Sequence, residues 1–203
     1  MLITKKQIAT ALILISSVNS AFAFGEQSRV YSRVGAEVGK MSIPIDSHSK
    51  RKETYSAVQL VGGIDFEEYF FELGLTRAFP NKATFAIDDG KFLTFYDYTH
   101  NFYNTHFDAN KRFAVTEHFK IITGVGVGLL NQKVNIESSK IYKPFGFHQK
   151  YKVTSETFQG RANLGAQYQL TEKFKTSINL QGQGSSKNEP HMLGVGLVFN
   201  YDF

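Results

Sequence analysis

Cysteine and tryptophan are both missing from the 203 residues. Without cysteine there is no disulfide framework, no thiol nucleophile, no thiolate metal site and no lipid-modified cysteine. Proline is scarce, with only Pro44, Pro80, Pro144 and Pro190. Charge is modest too, at 20% of residues. Past residue 23 no apolar run is long enough for a membrane-spanning helix, and no segment shows helical periodicity.

What is present begins with a leader. Lys5 and Lys6 precede an apolar stretch from Ile8 to Val18, and Ala21-Phe22-Ala23 follows as a small-x-small cleavage site. This pattern predicts a signal peptide over 1–23 and one mature domain over 24–203. An N-terminal anchor helix is the alternative, and the shortness of the apolar run argues against it. The leader takes two cations and no anion from a chain of +5, leaving +3. That balance is too weak to suggest nucleic acid as a partner.

Beyond the leader, apolar residues alternate with small or polar ones in segments of roughly ten residues, the signature of membrane strands. Val30, Val34, Ala36 and Val38 alternate with Tyr31, Arg33, Gly35, Glu37 and Gly39. Val58, Leu60, Ile64 and Phe66 alternate with Ala57, Gln59, Gly63 and Asp65. Similar segments lie over 71–76, 121–129, 158–168 and 177–183. Residues 91–114 are rich in aromatics but blurred. They are read as one strand projecting beyond the membrane, with a bulge near Asn104 to Ala109; ten strands is the alternative count.

Short turns fall around 67–69, 116–120 and 171–175, and the last two repeat one phrase, Thr-Glu-x-Phe-Lys. Longer connections are expected over 41–54, 79–91, 135–154 and 184–191. Each holds one proline, and none is expected in a strand, since proline cannot donate to a ladder.

The last eleven residues keep strict alternation up to the terminal carboxylate. Leu193, Val195, Leu197, Phe199, Tyr201 and Phe203 form one face. This end resembles the closing strand of outer-membrane barrels. Glu72-Leu73-Gly74-Leu75, Gly124-Val125-Gly126-Val127-Gly128 and Leu193-Gly194-Val195-Gly196 extend the resemblance to the small OmpA/OmpX-like barrel group, of the bacterial surface-antigen type. It implies an all-β fold: an eight-stranded antiparallel up-and-down transmembrane β-barrel in the bacterial outer membrane. It also implies that Phe199, Tyr201 and Phe203 are an assembly signal read by the barrel assembly machinery. No peptidoglycan-binding domain follows, so a wall-anchoring role is not carried over.

A soluble lipocalin-like barrel is the competing fold, with its apolar face turned inward. The polar face decides between them. Water-facing strands favour Lys and Glu, whereas this face carries Gly, Asn, Gln, Thr and Ser. Such residues suit a narrow packed bore. Phe66, Tyr69, Phe70, Phe71, Phe113, Phe119, Tyr168, Phe174, Tyr201 and Phe203 then mark an interfacial girdle at the periplasmic rim.

Arg33, Glu37, Asp65, Glu72 and Arg161 are expected inside the barrel, as a structural ion network rather than a proton or ion path. His100 and His106 sit six residues apart and can share a face, but no metal spacing or nearby His-x-Ser arrangement accompanies them. The outer connections carry a stronger pattern. Lys50, Arg51 and Lys52 lie in the first; Lys143, Phe145, Phe147, Lys150 and Lys152 lie in the third. Basic side chains interleaved with aromatics suit an anionic partner.

The reading is a non-catalytic surface protein acting through its outer loops, without a cofactor. Expected partners are outer-membrane lipid and lipopolysaccharide, the barrel assembly machinery, and a host-surface protein or glycan. A monomer is expected. The functional alternatives are a lipid A-modifying hydrolase and a small-solute channel.

Overall fold

Successive side chains of a pleated strand point to opposite faces, so a chain that alternates apolar with polar residues builds a sheet with two unlike faces. In the computed structural model, residues 28–44, 50–88, 93–140, 148–185 and 190–203 are described, and nearly all of them are in strands. The predicted signal peptide lies outside them, as do Lys143, Phe145 and Phe147. The strands are β1 (Arg29–Pro44), β2 (Lys50–Phe66), β3 (Tyr69–Ala78), β4 (Asn81–Asp88), β5 (Leu93–Ala114), β6 (Phe119–Lys140), β7 (His148–Gln169), β8 (Phe174–Gly184) and β9 (His191–Asp202).

All pairings are antiparallel, and the sheet closes on itself. Neighbours run β3-β2-β1-β9-β8-β7-β6-β5-β4, with β3 also pairing β5. The nine segments make eight staves. β3 pairs the Tyr103–Lys111 part of β5, and β4 pairs its Leu93–His100 part. β3 and β4 are thus one stave interrupted at Phe79 and Pro80, where proline lacks a donor for the ladder. This settles the strand count in favour of an eight-stave barrel. Closure leaves no unpaired edge within the spanning region, as hydrocarbon requires.

Several boundaries differ from the sequence expectation. β5, β6 and β7 each run 22 residues, about twice what a membrane crossing needs. Residues 81–88 form a strand where a connection was expected, and the connections around 41–54 and 135–154 shrink because the strands continue into them. Pro44 ends β1 instead of lying in a loop. No bulge occurs near Asn104 to Ala109; β5 keeps unbroken register with β6 from Thr94 to Ala114. Polar outward residues ended the visible periodicity in each case, but backbone pairing does not need an apolar face.

The three short turns share one end of the barrel with Arg29 and Asp202. Their geometry explains the repeated phrase. The Thr116 hydroxyl accepts from the Phe119 N–H at 3.0 Å, and the Thr171 hydroxyl does the same for Phe174 at 3.0 Å. Each threonine thereby satisfies a turn donor that would otherwise lack a partner. Glu67, with φ of 67°, takes the left-handed position of the Phe66–Tyr69 turn.

Outside, an apolar belt encircles the molecule. Val34, Val38, Leu73, Leu75, Phe107, Val125, Val127, Leu129, Phe158, Leu164, Ile178, Leu180, Val195 and Leu197 are all exposed, while their strand neighbours point inward. From Phe119 to Leu129 a strand advances about 33 Å; at the usual tilt of about 40° that covers about 25 Å of hydrocarbon. At the turn end the belt finishes in exposed Phe66, Tyr69, Phe71, Phe113, Tyr168, Phe174 and Phe203. Lys111 lies over the Tyr69 and Phe113 rings at 4.8 and 5.3 Å and donates to the Tyr69 hydroxyl at 3.0 Å. Phe70 departs from the expected girdle. It is 1% exposed and points into the bore, against Tyr31 and under the Arg112 guanidinium.

Candidate functional site

The bore is filled in layers. Near the turn end, Tyr31, Phe70 and Ile122 pack together. Towards the other end, Met41, Tyr55, Ala57, Ala78, Phe102, Leu130 and Met192 form a second apolar layer. Charged and amide side chains occupy the space between and below. Glycines make that possible. A Cβ on Gly63 would strike the Tyr31 ring and come 2.8 Å from the Phe71 carbonyl oxygen, and one on Gly126 would come 2.9 Å from the Asp108 Cα.

All five charges expected inside lie on the inward face. Arg33 pairs with Glu72 at 2.8 Å, and Glu72 also accepts from the Tyr31 hydroxyl at 2.6 Å and from Asn110 at 3.2 Å. Glu37 accepts from Tyr55 and Gln59. Asp65 and Arg161, by contrast, pair with residues that the sequence pattern did not single out. Arg112 meets Asp65. Asp108 takes two bonds from Arg161, at 3.0 and 3.3 Å. The Asp108 carboxylate also lies 2.9 Å from His106 Nδ1, and Glu53 lies 3.0 Å from His100 Nδ1. At the turn end Lys175 reaches Asp202 at 2.6 Å and Asp65 at 3.7 Å. A polar cavity of about 360 Å³ opens there, lined by Asp65, Arg112, Lys120 and Lys175 among others.

His100 and His106 do share a face, and it is the inner one: they are 3% and 2% exposed. The missed residues carried a signal. Positions 104, 106, 108, 110 and 112 are all polar and 103, 107 and 113 aromatic. Phe102 on the inner face and Lys111 on the outer one blurred that alternation.

Beyond the belt, at the end opposite the short turns, the outward faces turn polar and basic. Lys52 on β2 and Lys150 and Lys152 on β7 are exposed on that outward side, while Tyr151, on the inward-facing register of β7, is exposed at the mouth of the barrel. Lys50 and Arg51 open β2, but their side chains fall outside the described part. Lys150 lies 3.0 Å from Glu137, both mostly exposed, a geometry that holds little energy in water. β2 and β7 stand four staves apart in a ring of eight, so these two cationic groups occupy opposite sides at strand level. A polar cleft of about 340 Å³ is lined by Lys82, Thr84, Asp97, Thr99, Asn135 and Glu137, together with Ala83 and Tyr98. Among the described residues, no cluster of His, Asp and Glu is arranged to hold a metal ion.

An apolar exterior, a packed polar interior and a sheet without free edges define a transmembrane β-barrel of the bacterial outer-membrane class. Solved structures agree on this fold. The chain is similar to Neisserial surface protein A, with 12% identity over 88% of this chain and 100% of that one, at a TM-score of 0.61. It is also similar to Ail, the attachment invasion locus protein of Yersinia pestis, with 12% identity over 86% of this chain and 99% of that one, at a TM-score of 0.52. No sequence family and no curated protein matches the chain.

Proposed function

We propose that this protein is a surface-interaction protein whose outer hairpins bind an anionic partner, either a sulfated or phosphorylated glycan or an acidic protein on a host surface. The observation that carries this reading is the length of β5, β6 and β7. Their 22 residues raise a basic and aromatic surface well past the apolar belt, with Lys150, Tyr151 and Lys152 exposed to water on β7. Lys143, Phe145 and Phe147 come after β6 in the chain and extend the same composition. Cations beside aromatic rings attract anions by charge and stack on sugar or peptide groups. The Ail structure solved with the heparin analogue sucrose octasulfate, to which this chain is similar at a TM-score of 0.50 with 12% identity, supports an anionic glycan.

Replacing Lys143, Lys150 and Lys152 together by Gln is expected to weaken binding to heparin and to host cells, with heat-resistant folding intact. Unchanged adhesion removes the reading. No observation favours a lipid A-modifying hydrolase: His100 and His106 face the bore, away from lipid. Lipid A mass spectrometry with and without the protein tests that alternative directly.

A further inference from the structure

At the short-turn end the charges of the bore are unevenly matched. Around the cavity of about 360 Å³ the strands bring four cations, Arg29, Arg112, Lys120 and Lys175, against two carboxylates, Asp65 and Asp202. Both carboxylates are taken: Asp65 meets Arg112 and Lys175, and Asp202 meets Lys175. Two more, Glu67 and Glu172, belong to the turns at the entrance. Lys120 is left over. Among the described residues, no carboxylate lies within salt-bridge distance of it. Arg112 and Lys175 repel it more strongly than Asp65 and Glu67 attract it.

Two donors beside Lys120 are also unused. Arg112 is 7% exposed and bonds Asp65 and the Glu67 carbonyl oxygen through Nη1, which leaves Nε without a partner. It stands opposite Ile122, the next inward residue to Lys120 on β6. Gln167 on β7 stands directly opposite Lys120 on the other side. It is 2% exposed, and its side-chain Nε2 donates to no partner among the described residues. Three neighbouring strands thus set an ammonium, a guanidinium N–H and an amide NH2 on the inner face at one end of the bore. A buried donor without an acceptor is costly, and one acceptor that meets all three removes that cost.

We propose that the turn-end mouth of the barrel binds a small oxyanion, a phosphate or a carboxylate group, between Lys120, Arg112 and Gln167. The oxygens of such a group accept several N–H bonds at once, and its charge strengthens each of them. The turn carboxylates at the entrance repel a polyanion, so the ligand is small. Tyr31, Phe70 and Ile122 pack across the bore nearby, and the Met41 layer closes it further on. The ligand therefore enters and leaves on the side of the short turns. This site is independent of the adhesion reading, which concerns the opposite end of the barrel.

The test uses residues 24–203 refolded in a nonionic detergent, with folding checked by heat-modifiable gel mobility. Isothermal titration calorimetry at fixed ionic strength measures inorganic phosphate and acetate, with chloride as the control. Wild type is expected to bind one oxyanion per barrel, and the tighter of the two tells which group the mouth takes. Lys120→Gln is expected to weaken that binding about tenfold, the worth of one charge-assisted bond, while Lys120→Arg keeps it. Gln167→Leu, which leaves every charge in place, is expected to weaken it about threefold. Unchanged affinity in either Lys120→Gln or Gln167→Leu, once refolded, overturns the proposal. So does binding of neither oxyanion, or chloride binding as tight as both, which leaves only a general attraction of anions to a basic mouth.

Discussion

Asp108 and Arg161 show what a buried charge needs. Both lie almost wholly out of solvent, and each is held by more than the other: Asp108 also by His106, and Arg161 by Gln183 at 2.6 Å and Gln181 at 3.2 Å. Removing one partner leaves a desolvated charge, whereas removing both leaves only a packing defect. Asp108→Ala is therefore expected to cost about 3–5 kcal/mol of unfolding free energy in lipid vesicles. The double variant Asp108→Leu with Arg161→Met recovers most of it. A single-variant loss below about 1 kcal/mol in a denaturant titration contradicts this account of the bore. Gly63 makes the complementary point. The Tyr31 ring rests where its side chain would be, so Gly63→Val is expected to cost about 1–3 kcal/mol through overpacking.

Among the elements, the turns and the interrupted stave carry the information. The two Thr-Glu-x-Phe-Lys turns are built alike, each with one side-chain bond to a backbone N–H. Thr116→Ala and Thr171→Ala are each expected to lower stability by about 0.5–1 kcal/mol. Thr→Ser at either site should stay near wild type, because the hydroxyl is kept; equal losses from Ala and Ser would point to the methyl group instead. β9 closes the ring against β1 from Tyr31 opposite Asp202 to Ser42 opposite His191. Phe203 stays 60% exposed at its end, and its ring centroid lies 5.2 Å from that of Tyr201. Phe203→Ala is expected to slow assembly in cells while leaving the refolded barrel within about 0.5 kcal/mol of wild type, as for other surface positions. Pulse-chase measurement of heat-modifiable mobility separates the two effects.

At the scale of the whole molecule, the decisive property is which face meets hydrocarbon. Val125 is 66% exposed in the middle of the belt. Val125→Lys is expected to cost about 2–4 kcal/mol in a bilayer. Thr154→Lys, outward on β7 but above the belt, should change stability by less than about 0.5 kcal/mol. Equal effects of the two would place the membrane elsewhere. The bore has its own consequence. Met41, Tyr55, Phe102, Leu130 and Met192 fill it across one level, so planar bilayers should show no steady conductance, and sustained ion current would contradict that packing.

Period-two alternation was enough, in the sequence alone, to establish strands and their inward and outward faces, while the closed eight-stranded barrel was what the resemblance to small outer-membrane barrels implied. That pattern is local, and it needs only a boundary between lipid and a packed interior to become visible. Arg33, Glu37, Asp65, Glu72 and Arg161 could be assigned to the inside on the same ground. Their partners could not. Asp108 meets Arg161 from 53 residues away and Arg112 meets Asp65 from 47, and strand register, fixed by pairing around the closed ring, is what brings them together. Register likewise set β2 and β7 on opposite sides and joined β3 and β4 into one stave. Above the belt both faces meet water and alternation fades, so there only backbone pairing decides where strands end and which residues become neighbours.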